Sequence, residues 1–133
     1  MTAITDDRAT LQQEWLRDLQ NLMTQVRGWC DAHGWAVHAT DKPVTESKLG
    51  EYSAPTLQVR APNGTVVYVE PVARDVAGAE GLVDIYAWPS LRRFSLMRQN
   101  GGWSVKTDSG VPLPWKWSEP AFVEVIDALT SAI

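Results

Sequence analysis

Cysteine is nearly absent. Cys30 is the only one in the chain, so no internal disulfide can form and packing must hold the fold together. A lone thiol also suits a reducing compartment. Positive charge is in short supply as well: Lys and Arg number 12 against 16 Asp and Glu, a formal net charge of -4. Nucleic-acid binding needs a basic footprint that displaces counterions, and docking on an anionic membrane needs a similar one, so neither partner is expected. No uncharged apolar run approaches the roughly 18 residues of a membrane helix. The N-terminus, MTAITDDRAT, lacks the basic start and apolar run of a signal peptide. A cytoplasmic location follows as the expectation.

Motifs are missing too. The chain has no G-x-x-x-x-G-K-[ST], no G-x-G-x-x-G and no G-x-S-x-G, so no nucleotide cradle or nucleophile elbow is in view. Cys30, His33 and His38 read C-x2-H-x4-H, but a zinc site needs a fourth ligand and a geometry this segment does not promise. The VEPV segment at 69–72 invites comparison with nuclease cores, and the comparison fails: position 72 is valine where a lysine is needed, and Asp84 follows Glu70 instead of preceding it. No catalytic residue, metal ligand or cofactor is assigned.

Tryptophan is what the chain has in abundance, seven copies in 133 residues, a length that suits one domain (1–133) burying about two-thirds of its unfolded surface. Leu11, Trp15, Leu19, Leu22, Val26 and Trp29/Cys30 recur at spacings of three and four, which predicts a long amphipathic helix over 11–33. Thr10 and Gln13 read as its capping box and Gly34 as its stop, leaving 1–9 as a flexible tail. Residues 35–39 alternate like a short strand, and the polar, turn-rich 40–55 reads as a long loop.

The period then changes to two. Hairpin signals at APNG (61–64), PS (89–90) and QNGG (99–102) separate alternating runs, which predicts an antiparallel meander. SEP at 118–120 opens a last helix with Phe122, Val125/Ile126 and Leu129 as its buried stripe. The expected class is α+β: a long N-terminal helix, a meander of five to six strands and a C-terminal helix, both helices on one face.

Turn lengths allow the register to be read. Val59 should meet Val67, Leu57 meet Val69, Asp84 meet Ser95, Tyr86 meet Arg93 and Leu96 meet Val105. Leu57, Val59, Val67, Val69, Val83, Ile85, Phe94, Leu96 and Val105 then share the inner face. Gln58, Tyr68, Glu70, Asp84, Tyr86, Arg93, Ser95 and Lys106 share the outer one, with Arg93 and Lys106 neutralising the carboxylates.

Two functional readings follow. In the first the chain is a non-enzymatic interaction module that holds a protein partner, or a second copy of itself. It would use Tyr68, Glu70, Asp84, Tyr86 and Arg93, or the Pro/Trp segment GVPLPWKWSEP (110–120), whose Trp115 and Trp117 point the same way. The blander expectation for those two indoles is packing on the core edge. In the second reading Glu70 and Asp84 serve a small-ligand or metal-dependent enzyme, with 40–55 as a lid, because paired carboxylates can split their pKa values or share a cation.

Overall fold

A computed structural model describes residues 3–131. The chain runs α1 (Ala3–His33), β1 (Ala36–Glu46), β2 (Gly50–Arg60), β3 (Val66–Ala73), β4 (Leu82–Trp88), β5 (Arg93–Gln99), β6 (Gly102–Thr107), β7 (Pro112–Lys116) and α2 (Glu119–Thr130). The strands form one antiparallel sheet in the order β1-β2-β3-β4-β5-β6-β7, so every strand pairs with its sequence neighbour. The α+β class is as expected, with seven strands instead of five or six. Among the described residues no helix is long and apolar enough to cross a membrane.

Both helices contribute to the cluster that covers the inner sheet face. Trp15, Leu19, Leu22, Met23, Val26 and Cys30 of α1 and Phe122, Val125, Ile126 and Leu129 of α2 are buried against the alternating strand residues. Each such side chain contributes about 1.5–3 kcal/mol through burial. All the inner-face residues expected from the register are buried except Phe94, which is half-buried. Every expected cross-strand pair is present, including Val59↔Val67, Leu57↔Val69, Asp84↔Ser95, Tyr86↔Arg93 and Leu96↔Val105. α1 ends as expected: the Trp35 N–H reaches Cys30 O (2.9 Å), the Gly34 N–H reaches Asp31 O (3.1 Å), and Gly34 takes φ +73, the left-handed value that closes a helix.

Three expectations need correction. α1 starts at Ala3, not at residue 11, so residues 3–9 are helical and Thr10 is interior; residues 1 and 2 lie outside the described residues. The third turn is tied to the β1–β2 hairpin, because the Gln12 side-chain amide donates to Leu49 O (2.9 Å) and Glu51 O (3.0 Å).

Residues 40–55 are not a loop. They complete a long hairpin in which Thr40 faces Thr56 and Glu46 faces Gly50. Prolines made this stretch look irregular, but each sits where a missing N–H is tolerated. Pro43 is on the edge strand β1, and Pro55 precedes the point, Leu57, where β2 begins to pair with β3. The third correction is β7, an edge strand carrying Pro112 and Pro114 in what read as an extended connection. Prolines on both outer strands blunt the sheet edges against further pairing.

Trp15 joins the helix to the sheet. Its N–H donates to the Tyr52 hydroxyl (3.2 Å), and that hydroxyl donates to the Glu46 carboxylate. Glu46 in turn accepts the backbone N–H groups of Arg74 (3.0 Å) and Asp75 (2.9 Å) beyond β3. The far edge of the indole lies on Gly81, where an added Cβ would stand 2.2 Å from Cζ3. Gly81 also has φ +152, which side-chain-bearing residues rarely adopt.

Gly81→Ala is therefore expected to destabilise the protein by about 3 kcal/mol, through overpacking and backbone strain together. Gly28→Ala, at an exposed helical position with nothing within 4 Å of the new Cβ, should stabilise it by about 0.5–1 kcal/mol. Urea unfolding of both variants checks the pair of signs.

Candidate functional site

The outer sheet face carries two ranks of side chains set by the register. Gln58↔Tyr68, Tyr68↔Tyr86 and Tyr86↔Arg93 form one rank, and Glu70↔Asp84, Asp84↔Ser95 and Ser95↔Lys106 form the next. Neither helix covers this face, since both pack on the other. Tyr68, Glu70, Asp84, Tyr86 and Arg93 thus stand together, as the alternation predicts.

Their contacts are specific. The Tyr68 and Tyr86 rings stack, with centroids 5.1 Å apart and planes 16° from parallel. The Arg93 guanidinium donates to Asp84 Oδ2 at 2.9 Å, and its Cζ lies 5.7 Å from the Tyr86 ring centre. The Ser95 hydroxyl donates to Asp84 Oδ1 at 3.1 Å. Lys42 Nζ approaches Glu70 Oε1 at 4.0 Å. Lys42, and not Lys106, is the ammonium that reaches Glu70; it was hidden in the stretch that read as a loop.

Burial governs the electrostatics. Asp84 is largely buried by its neighbours, its side chain 15% exposed, and desolvation raises its carboxyl above the usual carboxylate range. Arg93, Ser95 and Lys42 pull the other way, and Asp108 adds slightly to the rise. Tyr86 is pushed up to about 12, first by desolvation and then by the Glu70 carboxylate beside it. In both groups desolvation by the neighbouring side chains is the largest cause.

The other sequence candidates are placed apart. Leu113, Trp115 and Trp117 are half-buried against the core. Trp117 meets Trp29 edge-on at 5.4 Å and Phe122 at 6.1 Å, and its buried N–H has no hydrogen-bond acceptor. Cys30 is fully buried, and burial pushes its thiol up to about 12. His33 stacks on Trp35 (4.8 Å) and pairs with Glu119 at 3.3 Å, while His38 lies exposed on β1. Among the described residues no three His, Cys, Asp or Glu side chains converge as a metal cluster. A cavity of about 590 Å³ lies between α1 and the β5–β7 region, lined by Asp18, Arg98, Trp103 and Trp117 among others, and neither Glu70 nor Asp84 borders it.

No protein-family model matches this chain, and neither a curated protein nor a solved structure matches it.

The Asp84 environment has a pH consequence of definite sign. A carboxyl whose folded pKa exceeds its unfolded value makes folding take up a proton, so its contribution to stability falls as pH rises from the unfolded value through the folded one. The stability of Asp84→Asn relative to the parent should therefore increase with pH from about pH 3 upward. Arg93→Gln should shift the opposite way, losing stability as Asp84 ionises without its cation. Denaturant unfolding at a series of pH values measures both, and a difference independent of pH would contradict the assignment.

Proposed function

We propose that the chain is a non-enzymatic protein-interaction module whose outer sheet face docks a protein partner. The observation that supports this most directly is the fate of the carboxylates. Asp84 is held by Arg93 and Ser95, and Glu70 lies beside Lys42 and Tyr86, so both carboxylates are already engaged by neighbours on the face. What the face offers instead is a preorganised platform of two stacked tyrosines and an arginine. Tyr and Arg are the residues that most often anchor protein interfaces, because they combine large contact area with few rotatable bonds or a rigid donor fork. Docking on a self-neutralised polar surface leaves no charge buried without its partner, which is the costly outcome. The indoles of Trp115 and Trp117 are used in packing, which leaves the sheet face as the better candidate of the two surfaces considered.

The alternative, a metal-dependent site on Glu70 and Asp84, rests on their cross-strand pairing. A calorimetric titration with Mg²⁺ and Mn²⁺ separates the two: binding lost in Glu70→Ala would favour the metal site. For the module, affinity capture from native lysate should retain a protein that Tyr86→Ala/Arg93→Ala loses at least ten-fold, with an unchanged circular dichroism spectrum. Identical retention by parent and variant would defeat the proposal.

A further inference from the structure

The turns between strands hold positions that demand φ above zero, and the chain fills nearly all of them conventionally. Gly64, Gly101 and Gly110 sit in three of these turns at φ +87, +75 and +84, and Asn100 takes φ +51. Asparagine tolerates this region because its short polar side chain can bond locally. The β4–β5 turn departs from the rule. Leu91 adopts φ +62 there, although its side chain is 53% exposed and so gains little from burial. A branched residue in the left-handed region costs about 1–2 kcal/mol. The fold would be better served by glycine or asparagine.

Leu91 is not alone. Among the described residues the large apolar side chains standing in solvent are Val72 (40%), Trp88 (55%), Leu91 (53%) and Val111 (55%). Trp88 and Leu91 flank the β4–β5 turn, and Val111 belongs to the β6–β7 turn at the same end of the sheet, as the Phe94↔Thr107 pairing requires. Between these turns lies a cleft of about 500 Å³ lined by Arg92, Arg93, Phe94, Thr107, Asp108 and Ser109. Its volume suits a few side chains of an extended segment.

Charge indicates what enters. The Arg92 guanidinium has no hydrogen-bond or ion-pair partner among the described residues, and Arg93 is only partly engaged by Asp84. Asp108 is the one carboxylate in the lining. The lining thus holds two guanidinium groups against one carboxylate, on a chain of net charge -4.

From these observations we infer that the cleft between the β4–β5 and β6–β7 turns binds a peptide segment that sets an acidic side chain beside an apolar one. The carboxylate meets Arg92, and the apolar group rests on Phe94. Leu91, next to Arg92 in the chain, and Val111, whose carbonyl accepts the Thr107 N–H, stand at the rim. The strained leucine is explained as a contact residue whose cost to the fold is offset on binding. The inference shares Arg93 with the outer-face proposal but rests on Arg92, Leu91 and Phe94, whereas that proposal rests on Tyr68 and Tyr86.

The test is selection of a random twelve-residue peptide library on the intact protein, followed by fluorescence anisotropy with the enriched peptides. Enrichment of Asp or Glu next to Leu, Phe or Trp is expected, with binding weakened at least ten-fold by Arg92→Glu. Leu91→Asn is the decisive variant: it should weaken binding at least ten-fold while raising the thermal midpoint by about 3 °C. Tyr68→Ala/Tyr86→Ala should leave peptide affinity unchanged, which keeps a failure here distinct from a failure of the sheet-face proposal. Absence of enrichment, enriched peptides without acidic residues, or equal binding to Leu91→Asn would overturn the inference. So would preferential binding of vesicles of phosphatidylcholine with 30% phosphatidylserine, or self-association through the same residues.

Discussion

A strand that gives one face to a core must give the other to water, and strand pairing obliges its neighbour to do likewise. From β2 to β6 this constraint determines nearly everything that matters. Val59, Val67, Val83 and Leu96 can lie beneath the helices only if Tyr68, Glu70, Asp84, Tyr86 and Arg93 project away from them. The polar ladder is therefore a geometric consequence of the hydrophobic core. Its composition is not: nothing about burial requires a stacked tyrosine pair or an arginine lying against a carboxylate and a phenol.

The sheet alone would leave the long helix free to slide along its own axis. Trp15 prevents that by satisfying three conditions in one side chain. Its ring needs Gly81 beneath it, its N–H needs Tyr52, and Tyr52 needs Glu46, which is itself held by the backbone beyond β3. Arg98 reinforces the same region, pairing with Asp18 at 3.1 Å and lying 5.1 Å over the Trp103 ring, which is 6.2 Å from Trp15. A buried polar chain of this kind stabilises only when every member is satisfied, so it specifies one register of helix on sheet in place of several.

The central strands and both helix stripes are legible in the sequence because period two and turn chemistry agree there, and each register choice can be checked against the next strand. The hairpin over 40–55 is not, for a physical reason. Edge strands tolerate proline, and the inward parity of β2 changes between Tyr52/Ala54 and Leu57/Val59, with Pro55 and Thr56 buried between them. A pattern that breaks its own alternation looks like a loop until its partners are known. Lys42 lies in the same stretch, so the ammonium beside Glu70 is equally illegible in the sequence. The helix start was misread because residues 3–10 contain no breaker but also no apolar stripe; the tie from Gln12 to Leu49 and Glu51 is a tertiary one. Trp88 and Leu91 looked like ordinary turn neighbours, and only the backbone angle at Leu91 sets them apart.

The two surfaces proposed for binding differ in what they cost the fold. On the outer face the ion pairs and the aromatic stack satisfy one another, so the arrangement is nearly neutral for stability and would exist with or without a partner. At the turn end the balance is unfavourable: a leucine is held in a left-handed conformation, two other large apolar groups stand in water, and the Arg92 guanidinium makes no ion pair among the described residues. Sequences that fold well tend to agree with their structures at every level, and local disagreements gather where something besides stability is being served. A paired, stacked ladder costs the fold little, whatever its composition serves. An exposed Leu91 at positive φ, beside an Arg92 with no ion pair among the described residues, does cost it, and that asymmetry makes the turn end the more informative of the two surfaces.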